Sequence, residues 1–97
     1  MIRSFADSAT EDIYDGTNSE KARRKLMFPL HKIASRKFDM LDSATSLNDL
    51  RYPPSNRLEA LQGDLRGKYS IRINDKYRIV FIWTDLGPEE VEIIDYH

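Results

Sequence analysis

The stretch Lys68-Tyr-Ser-Ile-Arg-Ile73, followed by Asn74-Asp75-Lys76 and then Tyr77-Arg-Ile-Val-Phe-Ile-Trp-Thr84, decides how this chain folds. Apolar and polar residues alternate on both sides of a cluster of turn formers, which is the period of strands with one buried face. A two-residue turn would set Ile71 against Arg78 and spoil that face. A three-residue loop, Asn74 to Lys76, instead pairs Ile73 with Tyr77, Ile71 with Ile79 and Tyr69 with Phe81, and Trp83 continues the apolar row. The same register sets Arg72 opposite Arg78 on the other face.

Working outward, Arg57 to Leu61 forms a preceding strand across the turn-rich Gln62-Gly-Asp-Leu-Arg-Gly67. A last strand, Glu89 to Asp95, follows Asp85-Leu86-Gly87-Pro88. A five-residue loop, Asp85 to Glu89, would place Ile93 opposite Phe81, Val91 opposite Trp83 and Tyr96 opposite Arg78. Arg72, Arg78 and Tyr96 are then expected on one face. Upstream the period changes. Pro29 suits the first turn of a helix, and Leu30, Ile33, Ala34, Phe38 and Leu41 follow at helical spacing to about Asp42. Ser8 or Thr10 is a candidate cap for a helix through Ile13 and Tyr14. Ser46 suits a short capped turn through Leu50, and Tyr52-Pro53-Pro54-Ser55-Asn56 stops it. Glu20 to Phe28, basic and poor in apolar residues, reads as a mobile loop. Met1 to Phe5 alternates and is expected to join the sheet. The expected fold class is α+β, with N-terminal helices packed on one face of a small, mostly antiparallel sheet.

With 97 residues, 40% hydrophobic and 32% charged, residues 1–97 are expected to form a single domain. There is no cysteine, which removes disulfides, thiolate nucleophiles and Cys-based metal sites. No apolar run is long enough for a membrane span, and the first residues lack a hydrophobic signal core, so a cytoplasmic location is expected. The net charge is −1, but it is unevenly distributed. Residues 19–37 carry +6 and residues 51–78 carry +4, masked by acidic flanks. Two positive blocks are therefore candidates for an anionic partner or for ordinary solvated surface.

Of the two histidines, His31 sits among lysines at a helix start and carries no assigned role. His97 follows Tyr96 just past the last strand and titrates near neutral pH, so it is a candidate general acid or base. The acids are scattered and no pair of histidines has helical spacing, so a metal site is not expected. No nucleophile elbow, Walker loop or dinucleotide fingerprint is present, and Gly63-Asp64-Leu65-Arg66-Gly67 lacks the spacing. What remains is a set of cations beside Asp95-Tyr96-His97. Like charges at Arg72 and Arg78 repel, so an anion is expected between them: either a bound phosphate, which arginine holds well, or a neutralising Asp95, Glu59 or Glu92. The first option fits metal-free cleavage of RNA.

The pieces Met1-Ile2-Arg3-Ser4-Phe5, Leu41-Asp42-Ser43-Ala44-Thr45, Leu61-Gln62-Gly63-Asp64, Tyr69-Ser70-Ile71, Tyr77-Arg78-Ile79 and Asp95-Tyr96-His97 follow one another over nearly the whole chain. In this order and spacing they resemble the HigB-type toxins of the RelE superfamily, the plasmid maintenance killer-like toxins of type II toxin–antitoxin systems. That resemblance implies an endoribonuclease, an mRNA interferase, that enters the ribosomal A site and cuts translated mRNA by attack of the ribose 2′-OH, with no cofactor and no metal. It implies neutralisation by a helix-turn-helix antitoxin, with operator DNA bound only through that antitoxin. Carried over by residue, Arg78 would stabilise the phosphate in the transition state, and Asp95, Tyr96 and His97 would position the RNA and handle protons. Arg57, Lys68 and Arg72 are candidates for backbone phosphate contacts on charge and position alone.

The sequence departs from the family pattern at Gln62, where several relatives carry an active-site lysine. Gln62 can hydrogen-bond RNA but adds no charge. The pI of about 6.1 is also low for a group with many basic members, so attraction to the ribosome would come from local patches. Two other functions stay open on the sequence alone: a weak or inactive binding module acting with its antitoxin as co-repressor, and a gyrase-inhibiting toxin of the same fold.

Overall fold

The computed structural model describes residues 1–96 and has the expected α+β architecture. Three helices, α1 (Ser8–Asp15), α2 (Glu20–Lys25) and α3 (His31–Ser43), precede four strands, β1 (Glu59–Ala60), β2 (Tyr69–Arg72), β3 (Tyr77–Thr84) and β4 (Gly87–Asp95). The strands form one antiparallel sheet in the order β1-β2-β3-β4. Ile13, Ala22, Leu26, Ala34, Phe38 and Leu41 from the helices meet Ile71, Ile79, Phe81, Val91 and Ile93 from the sheet in a single core. The helices therefore cover one face and, among the described residues, leave the other without a helix over Arg72 and Arg78, although Ser70, Arg78 and Val80 at its centre are buried.

The cap of α1 is Asp7, whose carboxylate accepts the Thr10 N–H at 2.7 Å, rather than Ser8 or Thr10. Thr10 is buried instead, and its hydroxyl accepts the Ile93 N–H at 3.2 Å, tying the helix to β4. Asp42 accepts the Ile2 N–H at 2.9 Å and the Tyr14 hydroxyl at 2.6 Å, pinning the N-terminal segment and α1 to α3. That second bond pushes the Tyr14 pKa up to about 12.

The basic stretch after Ser19 is a helix and not the expected loop. Ser19 caps it by accepting the Ala22 N–H at 3.1 Å, and Arg23, Arg24 and Lys25 fill its last turn, where cations suit the helix dipole. Ala22 and Leu26, one turn apart, are fully buried and anchor it in the core. In α3 the stripe narrows to Ala34, Phe38 and Leu41, and Ile33 is 37% exposed. Pro29 lies in the short turn Phe28–Leu30 ahead of α3.

The β2–β3 register is the expected one: Tyr69 pairs with Phe81, Ile71 with Ile79 and Arg72 with Arg78. Asn74 closes the loop, its side-chain oxygen accepting the N–H groups of Lys76 at 2.9 Å and Tyr77 at 2.8 Å. The β3–β4 register differs. Ile79, not Phe81, pairs with Ile93, Trp83 pairs with Pro88 and not Val91, and Arg78 pairs with Ile94 and not Tyr96. The turn is tight, Thr84 pairing with Gly87 while the Thr84 hydroxyl accepts the Leu86 N–H at 3.2 Å and donates to the Gly87 carbonyl at 2.8 Å. β4 is an edge of the sheet, so Pro88 is tolerated inside it. The ladder slips between Val80 and Ile82, and Glu90 takes a left-handed conformation with φ 50°.

Only part of the expected strand at residues 57–61 forms, because Arg57 is left-handed (φ 47°) and pairing begins at Glu59. Met1 to Phe5 is not a full strand either. It runs along β4 through one parallel bridge, Phe5 to Val91, with Arg3 N–H donating to the Pro88 carbonyl at 2.8 Å. Gly87, at φ 123°, is required there, since a Cβ would collide with the Met1 carbonyl. No helix among the described residues is long and apolar enough to cross a membrane.

Candidate active site

The open face is built by strand alternation. Pairing of Glu59 with Ser70 and of Arg72 with Arg78 sets Glu59, Lys68, Ser70, Arg72 and Arg78 on the side away from the helices. Arg78 is the centre of this face. It is only 6% exposed, and three hydrogen bonds fix its guanidinium: Nε donates to Ser70 Oγ at 2.7 Å, and Nη2 donates to the Ser70 carbonyl at 3.4 Å and the Arg57 carbonyl at 2.5 Å. The left-handed turn at Arg57 aims that carbonyl inward. Nη1 keeps no hydrogen bond among the described residues. Burial pulls the Arg78 pKa below its ordinary value, and the Glu59 carboxylate works against that pull. The result is a preoriented cation with a free edge.

Glu59 and Tyr96 complete the cluster. Glu59 Oε2 lies 4.0 Å from Arg78 Nη2, and Glu59 Oε1 accepts the Tyr96 hydroxyl at 2.7 Å. The Tyr96 ring lies 5.2 Å from the Arg78 guanidinium carbon, a cation–π distance. The hydrogen bond to Glu59 holds the Tyr96 phenol above its ordinary pKa, so at neutral pH it is a donor. Tyr96 reaches this place although its backbone N–H bonds the Lys76 carbonyl and its strand partner is not Arg78. The register shift at this end is two residues, an even number that preserves the face.

The anion expected between Arg72 and Arg78 is resolved in part by carboxylates of the chain itself. Arg72 pairs with Asp75, and Arg78 has Glu59. Of the other two acids considered for that place, Glu92 lies 3.8 Å from Lys25 on α2, and Asp95 lies 3.6 Å from Lys76. Asp95 pairs with Tyr77, so alternation turns it to the face opposite Arg78 and Tyr96. His97 lies outside the described residues. Arg57 is exposed beside the site, Lys68 is half-buried on the open face, and Gln62 is exposed ahead of the turn Gly63–Leu65. Sequence reasoning missed the supporting role of Ser70, the close approach of Glu59 to Tyr96, and Lys37 of α3, whose ammonium donates to the Asn56 side-chain oxygen at 2.6 Å. The only local signal for these was the alternation that sets Glu59 and Ser70 on the arginine face.

The arrangement of helices on one face of a small antiparallel sheet is a fold known from solved structures. The fold is similar to that in two structures of the YoeB–YefM toxin–antitoxin complex from Staphylococcus aureus, one of them described as heterotetrameric. Each has a TM-score of 0.63 and 24% identity, over 100% of this chain and 95% of that one. Residues 3–97 match the HigB-like toxins, the RelE-like toxins of type II toxin–antitoxin system HigB, and the chain belongs to that family. Toxin HigB-1 of Vibrio cholerae serotype O1 is 39% identical over 85 residues, which span 88% of this chain and 86% of that protein. An uncharacterised Haemophilus influenzae protein is 42% identical over 57 residues, 59% of this chain and 56% of that one.

Proposed function

We propose that the chain, acting as one domain, is a ribosome-dependent endoribonuclease that cuts translated mRNA in the A site, with the ribose 2′-OH as nucleophile and no metal in the chemical step. The observation that carries this reading is Arg78, a nearly buried guanidinium locked by Ser70 and the Arg57 carbonyl beside Glu59 and Tyr96. A preoriented cation of this kind stabilises charge developing on a phosphoryl group without reorganising during the reaction. The 2′-oxygen attacks the adjacent phosphorus as the bond to the 5′-oxygen breaks, leaving a 2′,3′-cyclic phosphate and a 5′-hydroxyl. One proton must leave the 2′-OH and one must reach the departing oxygen. Glu59 is the carboxylate nearest the Arg78 cation and is assigned the first. Tyr96, a phenol at neutral pH, orients the phosphate, and His97 is assigned the second proton, whereas Asp95, turned to the opposite face beside Lys76, takes no direct part in the step. Arg57, Lys68 and Arg72 contact backbone phosphates, and Gln62 hydrogen-bonds RNA without adding charge.

The partners in this reading are the ribosome and mRNA, together with a helix-turn-helix antitoxin that alone bridges to operator DNA, all in the cytoplasm. Mapping transcript ends in cells making the protein tests it. New ends within translated frames, lost when translation initiation is blocked, are expected. Purified protein alone should barely degrade RNA, because the ribosome orients the substrate. Vigorous cleavage of naked RNA, or a magnesium requirement in the chemical step itself, contradicts the proposal.

A further inference from the structure

Lys37 sits where α3 meets the segment that holds Arg78. It projects from α3 next to Phe38, is half-buried, and donates to Asn56 Oδ1 at 2.6 Å. Asn56 is fully buried, and its amide nitrogen donates to the carbonyls of Leu50 at 3.2 Å and Tyr52 at 3.3 Å, so the acceptor that holds Lys37 is itself immobile. Lys37 has no carboxylate partner among the described residues. Burial first, and the charge of Arg72 second, hold its pKa below the ordinary lysine value. A partly buried ammonium with a second cation in its surroundings is favoured further when an anion joins the two.

The same asparagine links this lysine to the centre of the open face. Arg57 follows Asn56 directly, takes its left-handed conformation, and gives its carbonyl to Arg78 Nη2. Arg72 is the strand partner of Arg78, and its only ion pair among the described residues is with Asp75, which is 96% exposed in the β2–β3 loop and easily displaced. Lys37 is thus joined through Asn56 to the segment whose carbonyl holds Arg78, and Arg72 is paired with Arg78 across the strands.

We propose that Lys37, with Arg57 and Arg72, forms a second phosphate subsite that holds the RNA backbone next to the phosphate at Arg78. The subsite rests on the RNA-cleaving reading for its ligand. It supplies from α3 the positive charge that Gln62 does not bring.

The test is binding of fluorescein-labelled pentauridylate to the purified toxin over a range of salt concentrations, together with 15N NMR of the Lys37 ammonium during the same titration. For single strands the salt slope falls by about 0.7 for every phosphate that a cation ceases to neutralise. Lys37→Met is expected to weaken binding about five-fold or more at low salt and to flatten the slope by about 0.7, while Lys37→Arg keeps the slope. In the unsubstituted protein the Lys37 Nζ resonance should shift in step with binding. An unmoved Lys37 resonance, an unchanged slope in Lys37→Met, or no binding of pentauridylate at low salt overturns the subsite. A toxin that binds pentauridylate through Lys37 but cuts no mRNA on ribosomes overturns the nuclease reading and leaves the subsite standing.

Discussion

The two basic stretches of this chain end in opposite electrostatic situations. On α2, Lys21 lies 3.6 Å from Asp12, Arg24 3.1 Å from Glu20, and Lys25 3.1 Å from Asp7 and 3.8 Å from Glu92. On and beside the open face, Arg57 and Lys68 form no ion pair among the described residues, and the carboxylate nearest Arg78 stands off at 4.0 Å. The same residue types fasten a helix to its neighbours in one place and leave positive potential in the other. Net charge and pI therefore say little about either region, because both sum over stretches whose cations are paired to different degrees. Lys37 belongs to the first block in sequence and to the second in space.

The sharpest way to break this comparison is Arg78→Ala. Losing one preoriented donor of developing charge costs about 10²–10³ in rate. Ribosome-dependent cleavage should fall by that factor and growth arrest should be relieved. The change also strips a donor from the Ser70 hydroxyl and the Arg57 carbonyl, a cost of about 1–3 kcal/mol, so melting is measured alongside. Arg78→Lys keeps the charge but not the fork, and cleavage should stay well below the parent. His97→Ala should likewise relieve arrest while antitoxin binding persists. Parental toxicity in both Arg78→Ala and His97→Ala would remove the open face as the catalytic one.

On the helical side the largest effect should be on folding alone. Leu26 is fully buried, so Leu26→Ala is expected to cost about 2–5 kcal/mol in denaturant unfolding. The cleavage rate per folded molecule should not change. A rate loss beyond the unfolded fraction would mean that α2 contributes to the site.

These two regions also differ in what the sequence reveals. Ile71, Ile79 and Arg78 are legible because period-two alternation fixes both the β2–β3 register and the face. The β3–β4 register is not, because Pro88 looks like a loop residue, whereas on an edge strand its missing N–H is harmless. The discrepancy is even in residues at the end near Arg78, so Tyr96 still falls on the right face. Asp95, one residue away, cannot share it, and parity alone already implies that. Helix α2 is hidden because only Ala22 and Leu26 anchor it, although Ser19 ahead of Glu20 and the bases behind are visible capping signals. The contacts of Lys37 with Asn56, and of Ser70 and Glu59 with the site, depend on elements brought together by the fold, which no local pattern reports.

A graded effect is expected from the unpaired cations of the open face. Arg57→Gln combined with Lys68→Gln should flatten the salt dependence of pentauridylate binding by about 0.7 for each phosphate left without its cation. Thermal stability should change little, since neither side chain has an ion pair among the described residues to lose. An unchanged slope would reduce both residues to solvated surface.

The smallest effect should come from removing the same number of charges on α2. Lys21→Gln with Arg24→Gln deletes the exposed Arg24–Glu20 pair and the pair of exposed Lys21 with half-buried Asp12, each worth about 0–1 kcal/mol, and the pair within one helix belongs at the low end of that range. The net charge change equals that of the open-face double variant, so a generic attraction between toxin and RNA would respond equally to both. If charges act where the fold leaves them unneutralised, only the open-face variant alters the salt slope. An equal loss of slope in the two variants would show that long-range charge, and not a shaped face, draws the RNA in.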